Sequence, residues 1–228
     1  KIGFIGLGNM GKGMSKNLSK NNLEILGYDI NPEIEGEFFK TNSIEECVKG
    51  RDIVLVAVQT PHDDRYDGRE PTSHLPPKDF DYEHIKNAVA EIDKHVDENT
   101  LISVISTMLP GTVRREIAPL VKNGRFIYNP YLIAQGTVQY DMKNPEMIMI
   151  GTHDGAENDD VKLLYDLYDP MIPDKTRYEV GTWEEIEAVK VFYNTFISAK
   201  LSLVNMIQDV AMKVGHMDAT VVAKALAN

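Results

Sequence analysis

Lys1-Ile2-Gly3-Phe4-Ile5-Gly6-Leu7-Gly8-Asn9-Met10-Gly11 joins an apolar run to glycines at positions 6, 8 and 11. The apolar run ending at Ile5 predicts a buried strand, and a G-x-G-x-x-G turn follows it at once. A helix-compatible stretch from Met10 to Asn21 comes next, then a second apolar run, Leu23 to Tyr28, closed by Asp29. Gly6 permits the tight turn, Gly8 lets a pyrophosphate approach the backbone, and Gly11 lets helix pack on strand. Asn9 and Met10 open the helix, whose free N–H groups and partial positive charge face the phosphates. Asp29, 18 residues beyond Gly11, is placed to accept hydrogen bonds from ribose hydroxyls. That carboxylate repels a 2′-phosphate, and Ile30-Asn31-Pro32 supplies no arginine to neutralise one, so NAD is expected rather than NADP.

With 228 residues the chain has room for one large domain and a smaller appendage. A net charge of −11 argues against nucleic acid or an anionic membrane as partner. It leaves room for a small anionic substrate, which needs only a local positive cluster. Cys47 is the only cysteine, so no intramolecular disulfide forms and a reducing compartment is expected. No stretch reaches the ~20 apolar residues of a membrane span, and no signal peptide is expected before the first strand. The expectation is a soluble, cytoplasmic protein.

Further strands are predicted at Ile53–Val58, Leu101–Ser106, Arg125–Asn129, Met147–Gly151 and Thr176–Val180, several nearly continuous in Ile, Val and Leu. Ser43-Ile44-Glu45-Glu46 reads as a capping box opening a short helix around Cys47. Helices are also predicted over Tyr82–His95, Thr112–Val121 and Asn158–Tyr168. This alternation implies an α/β, doubly wound, mostly parallel Rossmann-type sheet. The run Thr60–Lys78, rich in Pro, Asp, Arg and His, leaves the carboxyl edge of the sheet, where ligands bind, and is expected to be a lid. After Gly181 the pattern changes. Thr182-Trp183-Glu184-Glu185 is a second capping box, and a helix runs without Gly or Pro to Val214. The division expected is therefore 1–181, dinucleotide-binding, and 182–228, helical. Two apolar faces on the long helix need cover from a second copy of the chain or from a further C-terminal region.

Lys190 and Asn194 project together from one turn of that helix. A lysine beside a nicotinamide stabilises a developing alkoxide or accepts its proton, and an asparagine holds the same oxygen; alone, the pair reads more readily as a solvated helix surface. Thr107 and Thr60 each end a predicted strand and so fall at the mouth of the cleft. Asn129-Pro130-Tyr131-Leu132-Ile133-Ala134-Gln135-Gly136 follows another strand, and its backbone amides are placed to cradle a substrate, with Tyr131, Leu132 and Gln135 as candidates. The six histidines (His62, His74, His84, His95, His153 and His216) show no metal-ligand spacing, and no metal is expected.

In order after the fingerprint come Val58-Gln59-Thr60-Pro61, Ser106-Thr107-x-x-Pro110-Gly111-Thr112, Asn129-Pro130 through Gly136-Thr137-x-x-x-Asp141-x-x-Asn144-Pro145, and Glu187-x-x-Lys190-x-x-x-Asn194. Together they resemble the N-terminal and central domains of the UDP-glucose/GDP-mannose dehydrogenase family. The resemblance implies oxidation of the C6 alcohol of a nucleotide sugar to a carboxylate with two NAD and a thiohemiacetal on cysteine. It implies Lys190 and Asn194 at the C6 oxygen, Thr60 and Thr107 lining the cofactor and catalytic cleft with Thr107 among the catalytic residues, and a homodimer through helix 182–214. Two departures stand out. The family's Asn-Pro-Glu-Phe-Leu is here Asn129-Pro130-Tyr131-Leu132-Ile133, and a phenol is no general base near pH 7. The family's nucleophilic cysteine lies in a segment beyond the central helix, and its UDP-binding C-terminal domain is expected to be absent; Cys47 reads as a packed small hydrophobe. The first hydride transfer needs neither group. Two alternatives share the fingerprint: a β-hydroxyacid dehydrogenase acting on a small hydroxy acid, which lacks its Gly-rich Asp-x-Pro-Val-Ser-Gly-Gly turn here, and a non-catalytic NAD-binding dimer module.

Overall fold

In a computed structural model, residues 1–19, 23–34, 39–133 and 136–227 are described. Continuous apolar runs become strands and the capped amphipathic stretches between them become helices. In chain order these are β1 (Ile2–Ile5), α1 (Asn9–Ser19), β2 (Ile25–Tyr28), β3 (Phe39–Lys40), α2 (Ile44–Val48), β4 (Ile53–Val56), α3 (Glu83–Asp93), β5 (Leu101–Val104) and β6 (Arg125–Tyr128). Then follow α4 (Val138–Lys143), β7 (Met147–Thr152), α5 (Asp159–Tyr168), β8 (Arg177–Thr182), α6 (Trp183–Val214) and α7 (Ala219–Leu226). The strands form one sheet in the order β3-β2-β1-β4-β5-β6-β7-β8. Neighbours are parallel except β6 and β7. The order reverses between β1 and β4, and at such a reversal a crevice opens beyond the carboxyl ends of the strands.

Both faces of the sheet are covered, and the two-residue period assigns side chains to each. Ile2, Phe4, Ile53, Leu55, Leu101, Ile148 and Ile150 join one apolar cluster with Met14 and Leu18 of α1, Met142 of α4, and Leu164 and Tyr168 of α5. The alternate residues, such as Val54, Val56, Ile102 and Val104, are buried on the opposite face, as are Cys47, Ile85, Val89 and Ile92 of α2 and α3. The carboxylate of Asp93, at the end of α3, accepts the backbone amides of Lys122, Asn123 and Gly124 and closes the turn into β6.

The capping box at Thr182 forms in full; at Ser43 the side chain caps the helix, but the returning bond of Glu46 goes to the residue before the cap. Ser43 Oγ accepts from Glu46 N at 3.2 Å while Glu46 accepts from Asn42 N. Thr182 Oγ1 accepts from Glu185 N at 3.3 Å and Glu185 accepts from Thr182 N at 2.7 Å. Three elements differ from the sequence reading. The stretch 112–121 is no regular helix but a turn of π-helix, Val113–Ile117, followed by a 3-10 turn, Ala118–Leu120; Pro119 has no N–H for an α-helical bond. The short strand β3 and helix α4 were not anticipated. In α4 the Thr137 hydroxyl bonds Asp141 at 2.7 Å and the Asn144 side chain bonds Tyr140 O at 3.1 Å, so the polar residues of that motif build a helix.

The chain divides into two compact units, Lys1–Ala188 and Val189–Asn228. The division falls inside α6, not at its start. The first turns of α6 belong to the first unit because Trp183, Ile186 and Glu187 are buried there. Trp183 packs edge-on against Phe126 and His153 and lies under the Arg114 guanidinium at 4.9 Å. In the second unit, Asp218 caps α7 through Thr220 N, and Phe192, Phe196, Leu201 and Met206 of α6 are largely exposed. No helix among the described residues is long and apolar enough to cross a membrane.

Candidate functional site

The glycine turn lies at the sheet reversal. Gly6 has φ +88°, and a Cβ there would meet Ala57 O of the neighbouring strand end at 2.6 Å. At Gly11 a Cβ would fall 2.1 Å from Gly6 O, so only glycine lets α1 start this close to β1. At Gly8 nothing lies within 4 Å of that position. The open space in front of Gly8 and the free amides at the start of α1 are what a pyrophosphate requires, and the residues present fit a dinucleotide. Asp29 follows β2. Its carboxylate accepts from Leu7 N at 2.6 Å and from Asn31 N at 2.8 Å, so the acid also braces the glycine turn. Met10 is half-buried in the first turn of α1. The Asn9 side chain, and Gln135 altogether, lie outside the described residues.

Next along the sheet, the ends of β4 and β5 are stitched together by side chains. The Thr60 hydroxyl donates to Thr107 O at 2.8 Å, and the Ser106 hydroxyl donates to Val58 O. Thr60 and Thr107 thus meet, as their strand-end positions imply, and Thr107 remains half-exposed. The loop after Thr107 is held by groups from elsewhere: the Tyr82 hydroxyl accepts from Leu109 N, and the Glu187 carboxylate accepts from Gly111 N and Val113 N. Neither Ser106 nor Glu187 was among the sequence candidates, although Glu187 opens the Glu-x-x-Lys spacing.

The Asn-Pro turn is more structural than its motif implies. Asn129 is fully buried, donates to Met149 O of β7 at 2.7 Å and accepts from the Tyr168 hydroxyl at 2.5 Å. Tyr131 lies in the apolar core, edge-on to Tyr168 with ring centroids 5.7 Å apart, and Leu132 is half-buried. Burial pushes the Tyr131 phenol well above its ordinary range.

The loop from Pro61 onward closes on itself: Asp63 pairs with Arg65 and Lys78, and the Tyr66 hydroxyl donates to Pro76 O. These partners hold the Asp63 carboxyl well below the usual range. A cavity of about 510 Å³ beside it is lined by Asp63, Asp79, Asp81, Glu83 and Glu116, with Lys78 and His62. Five carboxylates give it the wrong sign for a pyrophosphate, whose needs the glycine turn meets instead.

On α6, Lys190 is half-buried and Asn194 exposed. Burial pushes the Lys190 ammonium below the usual lysine value. Cys47 is fully buried, its Sγ 3.4 Å from Leu26 O, and burial raises its thiol from 9.0 to about 11. At pH 8 the native protein is expected to resist iodoacetamide and to label stoichiometrically in urea; native labelling at free-thiol rates contradicts this placement. Because the folded value lies above the unfolded one, the thiol's contribution to stability is complete below about pH 9 and lost as pH rises through about 11.

The profile of the UDP-glucose/GDP-mannose dehydrogenase family, NAD binding domain, matches residues 32–172. UDP-glucose 6-dehydrogenase of Rickettsia typhi is 26% identical over 178 residues, covering 77% of this chain and 38% of that protein. GDP-mannose 6-dehydrogenase of Pseudomonas putida is 25% identical over 252 residues, covering 94% and 53%. Among solved structures, a ternary complex of GDP-mannose dehydrogenase from Pseudomonas aeruginosa superposes with a TM-score of 0.78 at 22% identity, over 99% of this chain and 56% of that one. The chain spans 31% and 38% of the length of the first two relatives it matches. With more than half of its residues inside the matched region, the chain belongs to the UDP-glucose/GDP-mannose dehydrogenase family and carries that family's NAD-binding domain.

Proposed function

We propose that this chain serves NAD-dependent oxidation of the C6 alcohol of a nucleotide sugar, taken as far as the aldehyde. The observation that carries the reading is the stitched end of β4 and β5, where Thr60 meets Thr107 beside the sheet reversal that holds the glycine turn. Gly6, Gly8, Gly11 and Asp29 hold the cofactor, which when bound accepts the hydride from the alcohol carbon. Lys190, as the neutral amine, accepts the proton of the alcohol oxygen as the hydride leaves, and Asn194 holds the same oxygen. A lysine whose ammonium is disfavoured by burial gives up charge more readily than a solvated one, which suits that role.

Tyr131 supports the limit at the aldehyde. It stands where the family resemblance expects a glutamate, yet it is buried against Tyr168 with its phenol raised, so it activates no water for hydrolysis. In the same reading a second copy of the chain covers the exposed apolar side chains of α6, and the protein works as a homodimer in the cytoplasm. The test is a panel of UDP-glucose, GDP-mannose and 3-hydroxy acids, followed by NADH absorbance with the product carbonyl trapped. The expected result is one NADH per sugar and a trapped aldehyde. Stoichiometric sugar acid overturns the aldehyde limit; activity on hydroxy acids alone overturns the substrate class; NAD binding without turnover leaves a binding module.

A further inference from the structure

Glu187 is a charged residue with no exposed surface, placed on α6 three residues before Lys190 and seven before Asn194. Its Oε2 accepts from Gly111 N at 2.6 Å and its Oε1 from Val113 N at 2.7 Å, so both oxygens hold one loop 74 to 76 residues away in sequence. That loop begins at Thr107, whose carbonyl is fixed by Thr60. Its middle is fixed by the Tyr82 hydroxyl at Leu109 N, and Tyr82 in turn donates to Asp79. Gly111 takes φ +89° there.

A helical turn that starts at Val113 ordinarily takes its cap from the side chain just before it. Thr112 stands in that position and makes no such bond. The acceptor is supplied instead by a remote buried carboxylate, an arrangement that costs desolvation and that an apolar residue of similar volume would avoid. Burial raises the Glu187 carboxyl, and the amides of Val113 and Gly111 pull it back down. What the remote carboxylate adds, and a local cap cannot, is a fixed link between the loop of Thr107 and the first turns of α6.

We propose that Glu187 is a positioning residue of the dehydrogenase site, its two carboxylate oxygens pinning the Thr107–Val113 loop to α6. The proposal rests on the dehydrogenase reading above, and the test separates the two. Glu187→Gln keeps the volume but turns an NH2 donor towards an amide N–H, so one of the two bonds is lost. In the full chain, amide hydrogen exchange at Gly111 and Val113 is expected to accelerate at least tenfold, with exchange in β1 and β4 unchanged. NAD affinity stays within threefold, because the glycine turn is untouched, while kcat falls at least tenfold and KM for the nucleotide sugar stays within threefold. Should Glu187→Gln fail to fold by Trp183 fluorescence, Glu187→Asp keeps the charge, shortens the reach by one methylene, and is expected to give the same pattern. Wild-type exchange at both amides, or faster exchange with unaltered kcat, overturns the positioning role alone. Absence of NADH formation by the unsubstituted chain defeats the dehydrogenase reading, and the positioning role with it.

Discussion

Gly11→Ala is expected to weaken NAD binding by at least 100-fold and to lower thermal stability with it. The added methyl falls 2.1 Å from Gly6 O and 3.2 Å from Phe4 Cε1. A Cβ has no rotamer with which to escape a backbone atom, so α1 must move away from β1 or the Gly6 turn must change its φ of +88°. Forcing extra atoms into a packed site costs about 1–3 kcal/mol. Displacement of the helix start also takes the amides away from the pyrophosphate, and a 100-fold loss corresponds to about 2.8 kcal/mol. The informative control is Gly8→Ala, where the new methyl meets nothing. That variant is expected to melt with the wild-type protein yet lose NAD affinity, because the open space is what the pyrophosphate takes. Calorimetric titration with NAD and Trp183 fluorescence melting read both effects. A Gly11→Ala protein with wild-type affinity and melting temperature contradicts the geometry of the turn.

Lys190→Ala is expected to lower kcat by about 1000-fold, within the range for removing a group that handles a proton in the transition state. NAD affinity stays within a factor of about two, since no part of the glycine turn changes. Lys190→Arg is not expected to restore turnover, because a guanidinium keeps its charge at every accessible pH. Burial lowers the Lys190 ammonium, so the kcat profile is expected to break at a lower pH than a solvated lysine gives, and that break disappears in Lys190→Ala. Turnover that survives Lys190→Ala assigns the chemistry elsewhere; NAD affinity lost with turnover makes the lysine structural.

The parts of the fold that were legible in the sequence are those with local causes. A four-residue apolar strand followed by glycines of fixed spacing admits one arrangement, and Asp29 falls beside the turn as its distance from Gly11 implies. Helix caps are also local, and Ser43 and Thr182 both cap their helices, Thr182 with the full reciprocal box. Thr60 and Thr107 were legible as strand ends, but not their mutual hydrogen bond, which depends on the strand order. Glu187 was hidden for the same reason: its partners lie more than 70 residues away, and only the assembled sheet brings them together. Tyr131 illustrates the converse. Its motif marks a ligand turn, while its environment, set by Tyr168 from α5, is a core. In the 112–121 region the amphipathic pattern was real, but Pro119 decided the backbone.

The carboxylate after β2 has a consequence for any attempt to change coenzyme preference. Because its two oxygens already tether Leu7 N and Asn31 N, removing the negative charge to admit a phosphorylated ribose also unties the bend through which every dinucleotide must be gripped. Under the proposed reading, selectivity and grip are inherited together in one side chain. A redesign that swaps the charge must first install another acceptor for those two amides.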